Sequence, residues 1–205
     1  MKPKTKKAIK QTATIVFVLC GLLIVLSVVS LDGQHESDNR QAAFVSDQVL
    51  EYQPLVEKYA AKYDVSDHVD VLLAMMMQES GGRGDDPMQA SESYCGERNC
   101  IEDPERSIEQ GVYYFSETLA EADGDLKLAV QSYNFGKGFI DYVNANSGIY
   151  TQEAAVNFSQ EMYAAADNKK KFRCPREEAK KMDACYGDIY YVRDVTAYME
   201  GVAEK

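Results

Sequence analysis

Apolar residues recur at helical spacing through most of the chain, and nowhere in the sustained alternation that marks a half-buried strand. Ser46 is placed to cap a short helix reaching Tyr52. Pro54 suits the first turn of a second helix to about Tyr63, with Leu55, Tyr59 and Tyr63 on one side. Ser66 is a good N-cap for a methionine-rich helix that ends on Glu79. Residues 80–100 read as loop, with a short hairpin around 83–100 compatible with the pattern. Asp103-Pro104 opens a helix to about Ala122, carrying Ile108, Val112, Phe115 and Leu119 on one face. Asp123-Gly124-Asp125 turns the chain into a helix from Leu126 to Tyr133. Residues 134–138 interrupt it, and Phe139 to Asn144 resume it. Thr151 caps a helix to about Asp167, a basic, cysteine-flanked loop follows, and Asp188 opens a last helix to about Val202. The prediction is an all-α domain over residues 46–205.

One apolar stretch has no amphipathic period. Residues 13–31, from Ala13 to Leu31, are nearly all apolar and uncharged, about the length that just spans a bilayer. Lysines crowd residues 1–12 and none follows the apolar run closely, which orients the N-terminus inside and the body outside. A cleaved secretory signal is the alternative, but the run is long for one and lacks an Ala-x-Ala site. A lipoprotein would need small residues before Cys20, where Phe17-Val18-Leu19 stand instead. The expected order is therefore a basic cytoplasmic tail (1–12), a retained transmembrane anchor (13–31), a polar stalk (32–45) and the helical domain.

Charge narrows the partners. Five lysines sit in the first ten residues; without them 17 basic residues face 33 acidic ones, a net of about −16. Such a body is repelled by phosphate backbones and shows no basic patch with interleaved aromatics, so nucleic acid is excluded as a partner. Of the five cysteines, Cys20 lies in the apolar run. Cys95, Cys100, Cys174 and Cys185 lie beyond it, and their short separations favour Cys95–Cys100 and Cys174–Cys185 as disulfides in an oxidising space. Zinc is the competing reading; neither pair has Cys-x-x-Cys spacing, and His35 and His68 lie elsewhere. No metal or other cofactor is expected.

The candidate chemistry begins at Glu79. Leu72, Met75 and Met76 lie seven, four and three residues before it, which puts a carboxyl on an apolar face just ahead of Gly81-Gly82. Burial raises a carboxyl's pKa, so it can hold a proton near neutral pH and act as a general acid. Glycoside cleavage commonly uses two carboxylates. Asp85, Asp86 and Glu92 are near in sequence, but Asp85-Asp86-Pro87 is also ordinary turn chemistry, and none is assigned as the second. Two histidines without catalytic company argue against a Ser-His-Asp or Cys-His mechanism. Gln131-Ser132-Tyr133-Asn134-Phe135-Gly136 is a second cluster, serving equally as a helix stop or as amide and aromatic groups for a sugar.

Taken in order, Met77-Gln78-Glu79-Ser80-Gly81-Gly82, Asp86-Pro87-Met88-Gln89-Ala90-Ser91-Glu92-Ser93, Ser107-Ile108-x-x-Gly111-Val112 and the Gln131–Gly136 cluster resemble the bacterial lysozyme-like domain. That domain occurs in conjugation-associated cell-wall hydrolases and in surface proteins of the pneumococcal vaccine antigen A type. It is related to lytic transglycosylases and goose-type lysozymes. The resemblance covers about Val49 to Val202. It implies a lysozyme-like helical fold and cleavage of peptidoglycan glycan strands, either as a muramidase or as a lytic transglycosylase. Glu79 matches the catalytic glutamate. Met88 and Gln89 match the Met-Gln pair lining the saccharide cleft, and Ser91 and Ser93 sit in the matching stretch. Tyr133 and Asn134 match the Tyr-Asn of an Ala-Tyr-Asn-x-Gly motif whose alanine is Ser132 here. Tyr191, with Tyr190 as its adjacent competitor, matches a late tyrosine near the acid. The implied setting is the outer face of the membrane, beside a conjugation or secretion apparatus. The competing classes are a non-catalytic wall-binding scaffold and a surface interaction module.

Overall fold

Capping and burial together account for the elements of the computed structural model, which describes residues 44–174 and 176–203. The expected anchor, and all but the end of the stalk, lie outside the described residues. Among the described residues the chain is helical, and no helix there is long and apolar enough to cross a membrane. The helices are α1 (Asp47–Glu51), α2 (Gln53–Lys62), α3 (Val69–Glu79), α4 (Ser91–Cys95), α5 (Pro104–Glu121), α6 (Leu126–Phe135), α7 (Gly138–Asn146), α8 (Gln152–Ala165), α9 (Glu177–Lys181) and α10 (Tyr191–Ala203).

Four starts follow the local capping chemistry. Ser46, Asp103, Asp125 and Thr151 each accept a backbone N–H from the first turn of α1, α5, α6 and α8. Ser66 does not cap α3. It opens a 3-10 turn, Ser66–His68, and α3 begins at Val69 without a side-chain cap. The hairpin does not form around 83–100; that stretch holds α4, closed by the Cys95–Cys100 disulfide. The basic loop is also partly helical, carrying α9 inside the ring closed by Cys174–Cys185. The expected last-helix start at Asp188 moves to Tyr191, with Asp188 turning the chain just before it.

Helix α3 is the hub. Its residues Val71 to Met76 are all buried, so it is apolar on every side rather than on one stripe. Fully burying each such side chain contributes about 1.5–3 kcal/mol. Helix α10 lies against α3 through Tyr191, Val192 and Val195, making the most extensive helix pairing of the domain. Helix α5 packs on α2 and α6. Within the same core, Phe135, Phe139 and Phe158 join α6, α7 and α8 with ring centroids 5.1–5.5 Å apart. Ser46 also donates from Oγ to the carbonyl of Gly81 at 2.9 Å, tying the first helix to the loop beyond Glu79.

Candidate active site

Glu79 is the last residue of α3, at the point where the buried helix meets a cleft. Ser80 folds the chain back at once. Its hydroxyl donates to the carbonyl of Pro87 at 2.7 Å and accepts the N–H groups of Gly82 and Arg83. From across the core, the hydroxyl of Tyr191 on α10 donates to Glu79 Oε1 at 2.7 Å. Tyr190 instead stacks under the guanidinium of Arg193, so the competing tyrosine faces away. Tyr191 is 1% exposed, and burial holds its phenol well above the usual value, fixing it as a donor.

Enclosure dominates the electrostatics. Loss of water around Glu79 pushes its carboxyl up to about 7, against an opposing contribution from the Tyr191 hydrogen bond and with smaller reinforcement from the negative charges of Asp86 and Asp188. The group can therefore hold a proton at neutral pH while remaining partly open to the cleft.

The other wall is one turn, organised by Asp86. This carboxylate is 8% exposed and accepts four hydrogen bonds: from the N–H of Ala90 (2.8 Å), the N–H of Ser91 (3.0 Å), and the hydroxyls of Ser91 and Ser107 (both 2.6 Å). Ser107 belongs to α5, so Asp86 pins the turn to that helix. Ser107 Oγ also accepts the N–H of Met88 at 3.0 Å, and the carbonyl of Met88 accepts the Tyr133 hydroxyl at 2.8 Å. Gln89 sits at φ +48° and is exposed at the cleft, with Nε2 donating to the carbonyl of Asp86. Gly111 on α5 makes this approach possible. A Cβ there would lie 2.7 Å from Met88 Cβ and 2.9 Å from the Tyr133 hydroxyl.

Glu79, Gln89, Ser91, Tyr133 and Asn134 line a cleft of about 230 Å³. It continues past Gln89 and Tyr133 into a second space of about 260 Å³ bordered by Ser93, Tyr114 and Tyr186. The extended groove offers amides, hydroxyls and aromatic faces, the groups that suit a saccharide. Among the described residues no cluster of His, Cys, Asp and Glu is arranged to hold a metal ion.

The structure brings five of the expected residues together: Glu79, Gln89, Tyr133, Asn134 and Tyr191. Three others hold different places. Met88 is fully buried and packs beneath the wall, without side-chain access to the groove. Ser91 borders the cleft, but its hydroxyl is occupied by Asp86 and by the N–H of Ile101 at 3.1 Å. Ser93 lies in the second space, its hydroxyl donating to the carbonyl of Ala90. Tyr191 reaches Glu79 from the buried side, so its contact is with the acid and not with the groove. Sequence reasoning passed over Arg176, named Ser107 only within a family motif and Asp188 only as a helix start, and weighed Asp86 only as an acid or a turn residue. A glycine inside the otherwise regular helix α5 was the available signal, because it costs about 1 kcal/mol there unless something packs against it.

The comparisons with known proteins bear on the family and the fold. The family model described as lysozyme-like matches residues 46–199. The bifunctional muramidase/DL-endopeptidase CwlT of Bacillus subtilis is 39% identical over 90% of this chain and 53% of its own length. The uncharacterized membrane protein YocA of the same organism is 35% identical over 92% of this chain and 85% of its own. Pneumococcal vaccine antigen A of Streptococcus pneumoniae is 38% identical over 57% of this chain and 59% of its own. A solved structure from Staphylococcus aureus, described as similar to a lipoprotein of the NLP/P60 family, superposes with a TM-score of 0.66 at 39% identity. It covers 77% of this chain and 54% of that one. The chain thus spans about half the length of the muramidase relative and of the solved chain. On the family match, which takes in residues 46–199, this chain belongs to the lysozyme-like family.

Proposed function

We propose that this domain cleaves peptidoglycan glycan strands between N-acetylmuramic acid and N-acetylglucosamine, with Glu79 as the general acid. The observation that carries this reading is one carboxyl at the head of a saccharide-sized groove, held by Tyr191 and pushed up to about 7 by enclosure. Glu79 donates its proton to the glycosidic oxygen as the bond from the muramyl C1 to that oxygen breaks. The substrate's own N-acetyl oxygen attacks C1 and takes up the developing positive charge. Glu79, now ionised, then removes a proton from the group that attacks C1 in turn. If that group is water, the product carries a free reducing end; if it is the muramyl C6 hydroxyl, the product is a 1,6-anhydro sugar.

The neighbouring acids support a role for the substrate's own acetamide in place of a protein nucleophile. Asp86 is fully engaged by four donors, and Glu92 is exposed and paired with Arg98 at 3.0 Å. Gln89, Tyr133 and Asn134 are assigned to the glycan, and Ser93 to its continuation along the groove. Clearing of a purified wall suspension tests the assignment. Glu79→Gln keeps the shape and removes the proton, so the variant, with its helical circular dichroism intact, should clear walls at least a hundredfold more slowly. Equal clearing by both proteins would remove Glu79 from the role, and no clearing by either would leave a wall-binding scaffold.

The setting is part of the same proposal. Residues 13–31 tether the domain to the membrane with the groove outside, so cutting is local, as where a conjugation or secretion apparatus crosses the wall. Protease added to wall-stripped intact cells should digest the domain; protection from it would place the domain inside.

A further inference from the structure

The ring closed by Cys174–Cys185 contributes no wall to the cleft at Glu79, yet it is fastened to the turn that leads to Tyr191. From inside the ring, Arg176 grips Asp188 with a two-pronged contact, Nε to Oδ1 at 2.8 Å and Nη2 to Oδ2 at 2.6 Å, and the same Nη2 donates to Asp194 on α10. All three side chains are largely shielded from solvent. A forked, partly buried contact of this kind holds geometry in a way that an exposed lysine pair does not.

Asp188 is a junction. Its Oδ1 also accepts the N–H of Tyr190 at 2.9 Å, its own N–H donates to Asn134 Oδ1 at 2.7 Å, and its carbonyl accepts Gln131 Nε2 at 2.9 Å. The turn therefore locks α6, the disulfide-closed ring and the start of α10 to one another. Gly187 shows how close the crossing is: at φ +61°, a Cβ there would lie 2.6 Å from the Phe135 ring and 2.7 Å from Asn134 Oδ1. Three residues after Asp188 comes Tyr191, whose hydroxyl holds Glu79.

We propose that Arg176 is a positioning residue for Glu79: by gripping Asp188 and Asp194 it sets the start of α10, and so the Tyr191 hydroxyl, while offsetting the negative charge that Asp188 presents to the acid. The proposal rests on the general-acid reading of Glu79. The groups that face Glu79 are Tyr191 from α10, Tyr133 from α6, Asp86 from the turn after α3 and Asp188 from the turn before α10. Of the two anions, Asp86 is held by neutral donors alone, whereas Asp188 carries a cation. Taking the cation away leaves a bare negative charge beside Glu79, which favours its protonated form. Taking the anion away does the reverse.

The titration reads Glu79 directly and needs no substrate. The full chain, in detergent, is labelled with carbon-13 at the glutamate side-chain carboxyl, and the Glu79 resonance is assigned by its loss in Glu79→Gln. Titration should give a midpoint near 7 for the natural protein. Arg176→Gln should move the midpoint above that value. Asp188→Asn, which keeps an acceptor for the Tyr190 N–H, should move it below. Arg176→Lys, keeping the charge without the fork, should loosen the Tyr191 contact, so that kcat falls several-fold at unchanged KM and the midpoint rises less than in Arg176→Gln. Midpoints that stay put in both Arg176→Gln and Asp188→Asn, or that move in the same direction, would overturn the proposal. Should Arg176→Gln fail to fold, Asp188→Asn decides alone, since an unmoved or raised midpoint there refutes it. Failure of every protein to cut glycan would instead refute the general-acid reading, which the titration does not depend on.

Discussion

The hydroxyl of Tyr191 donates to Glu79 Oε1 at 2.7 Å across 112 residues of chain. This contact places the ends of the two helices that make the most extensive pairing in the domain at one carboxyl. It stabilises the ionised form, opposing the enclosure that favours the protonated one.

Tyr191→Phe removes only that hydroxyl. The carboxyl should then titrate above about 7, because the lost hydrogen bond was lowering it. The alkaline limb of the pH–rate profile should move to higher pH. At pH 5, where the acid is protonated in both proteins, turnover should fall about tenfold from lost positioning, equivalent to about 1.4 kcal/mol. Steady-state rates on soluble glycan fragments between pH 4 and 9 check both effects.

Glu79 also makes stability depend on pH. Folding raises its pKa from 4.5 to about 7, so the folded state holds the proton more tightly than the unfolded state does. That favourable contribution is complete below 4.5 and is lost as pH rises through 7. Glu79→Gln lacks the titrating group. Its melting temperature relative to the natural protein should therefore climb between pH 4.5 and 7 and level off above, a relative gain on the order of 3 kcal/mol by pH 8. Paired calorimetric scans across that range measure it, and a flat difference would contradict the raised value.

Gly111→Ala sets two effects against each other. Alanine favours the helix by about 1 kcal/mol. Its methyl would meet Met88 Cβ at 2.7 Å, and a Cβ is fixed to its backbone and cannot swing aside. Overpacking of this kind costs about 1–3 kcal/mol, so the clash should win. The turn bearing Gln89 should shift, raising KM for glycan more than a change at a remote site would. Urea unfolding and KM together test it.

Ser132→Ala should stabilise the domain. The Ser132 hydroxyl is buried without a hydrogen-bond partner, and Ser132 stands where the related motif has alanine. Removing an unpaired buried hydroxyl should gain about 1 kcal/mol. A loss of stability in urea would mean that the hydroxyl has a use beyond packing.

Much of the fold was legible because capping is local. Asp103, Asp125 and Thr151 announce their helices within four residues, and the apolar period does the rest. Helices α4 and α9 were not legible, since five residues are too few to nucleate alone; α4 ends on the cysteine that opens the Cys95–Cys100 ring, and α9 sits inside the ring closed by Cys174–Cys185. At the site, Glu79 stood out as a charge ending an apolar run. Asp86 did not declare its role, because one of its partners, Ser107, lies 21 residues away and Asp85-Asp86-Pro87 already reads as a turn. Tyr191 came only through family resemblance; nothing in its neighbourhood points to a residue 112 positions earlier. The Arg176–Asp188–Asp194 contact was hidden because Arg176 lies in a stretch that reads as a basic loop, while its partners read as the start and first turn of the last helix.

The most direct test of the central claim is mass spectrometry of purified peptidoglycan treated with the protein and with Glu79→Gln. The account predicts soluble muropeptides from the natural protein, absent with the variant, cut on the reducing side of N-acetylmuramic acid. A free reducing end would identify water as the acceptor, and a 1,6-anhydro end the C6 hydroxyl. Muropeptides released equally by the Glu79→Gln variant, or no release by the folded natural protein, would contradict it.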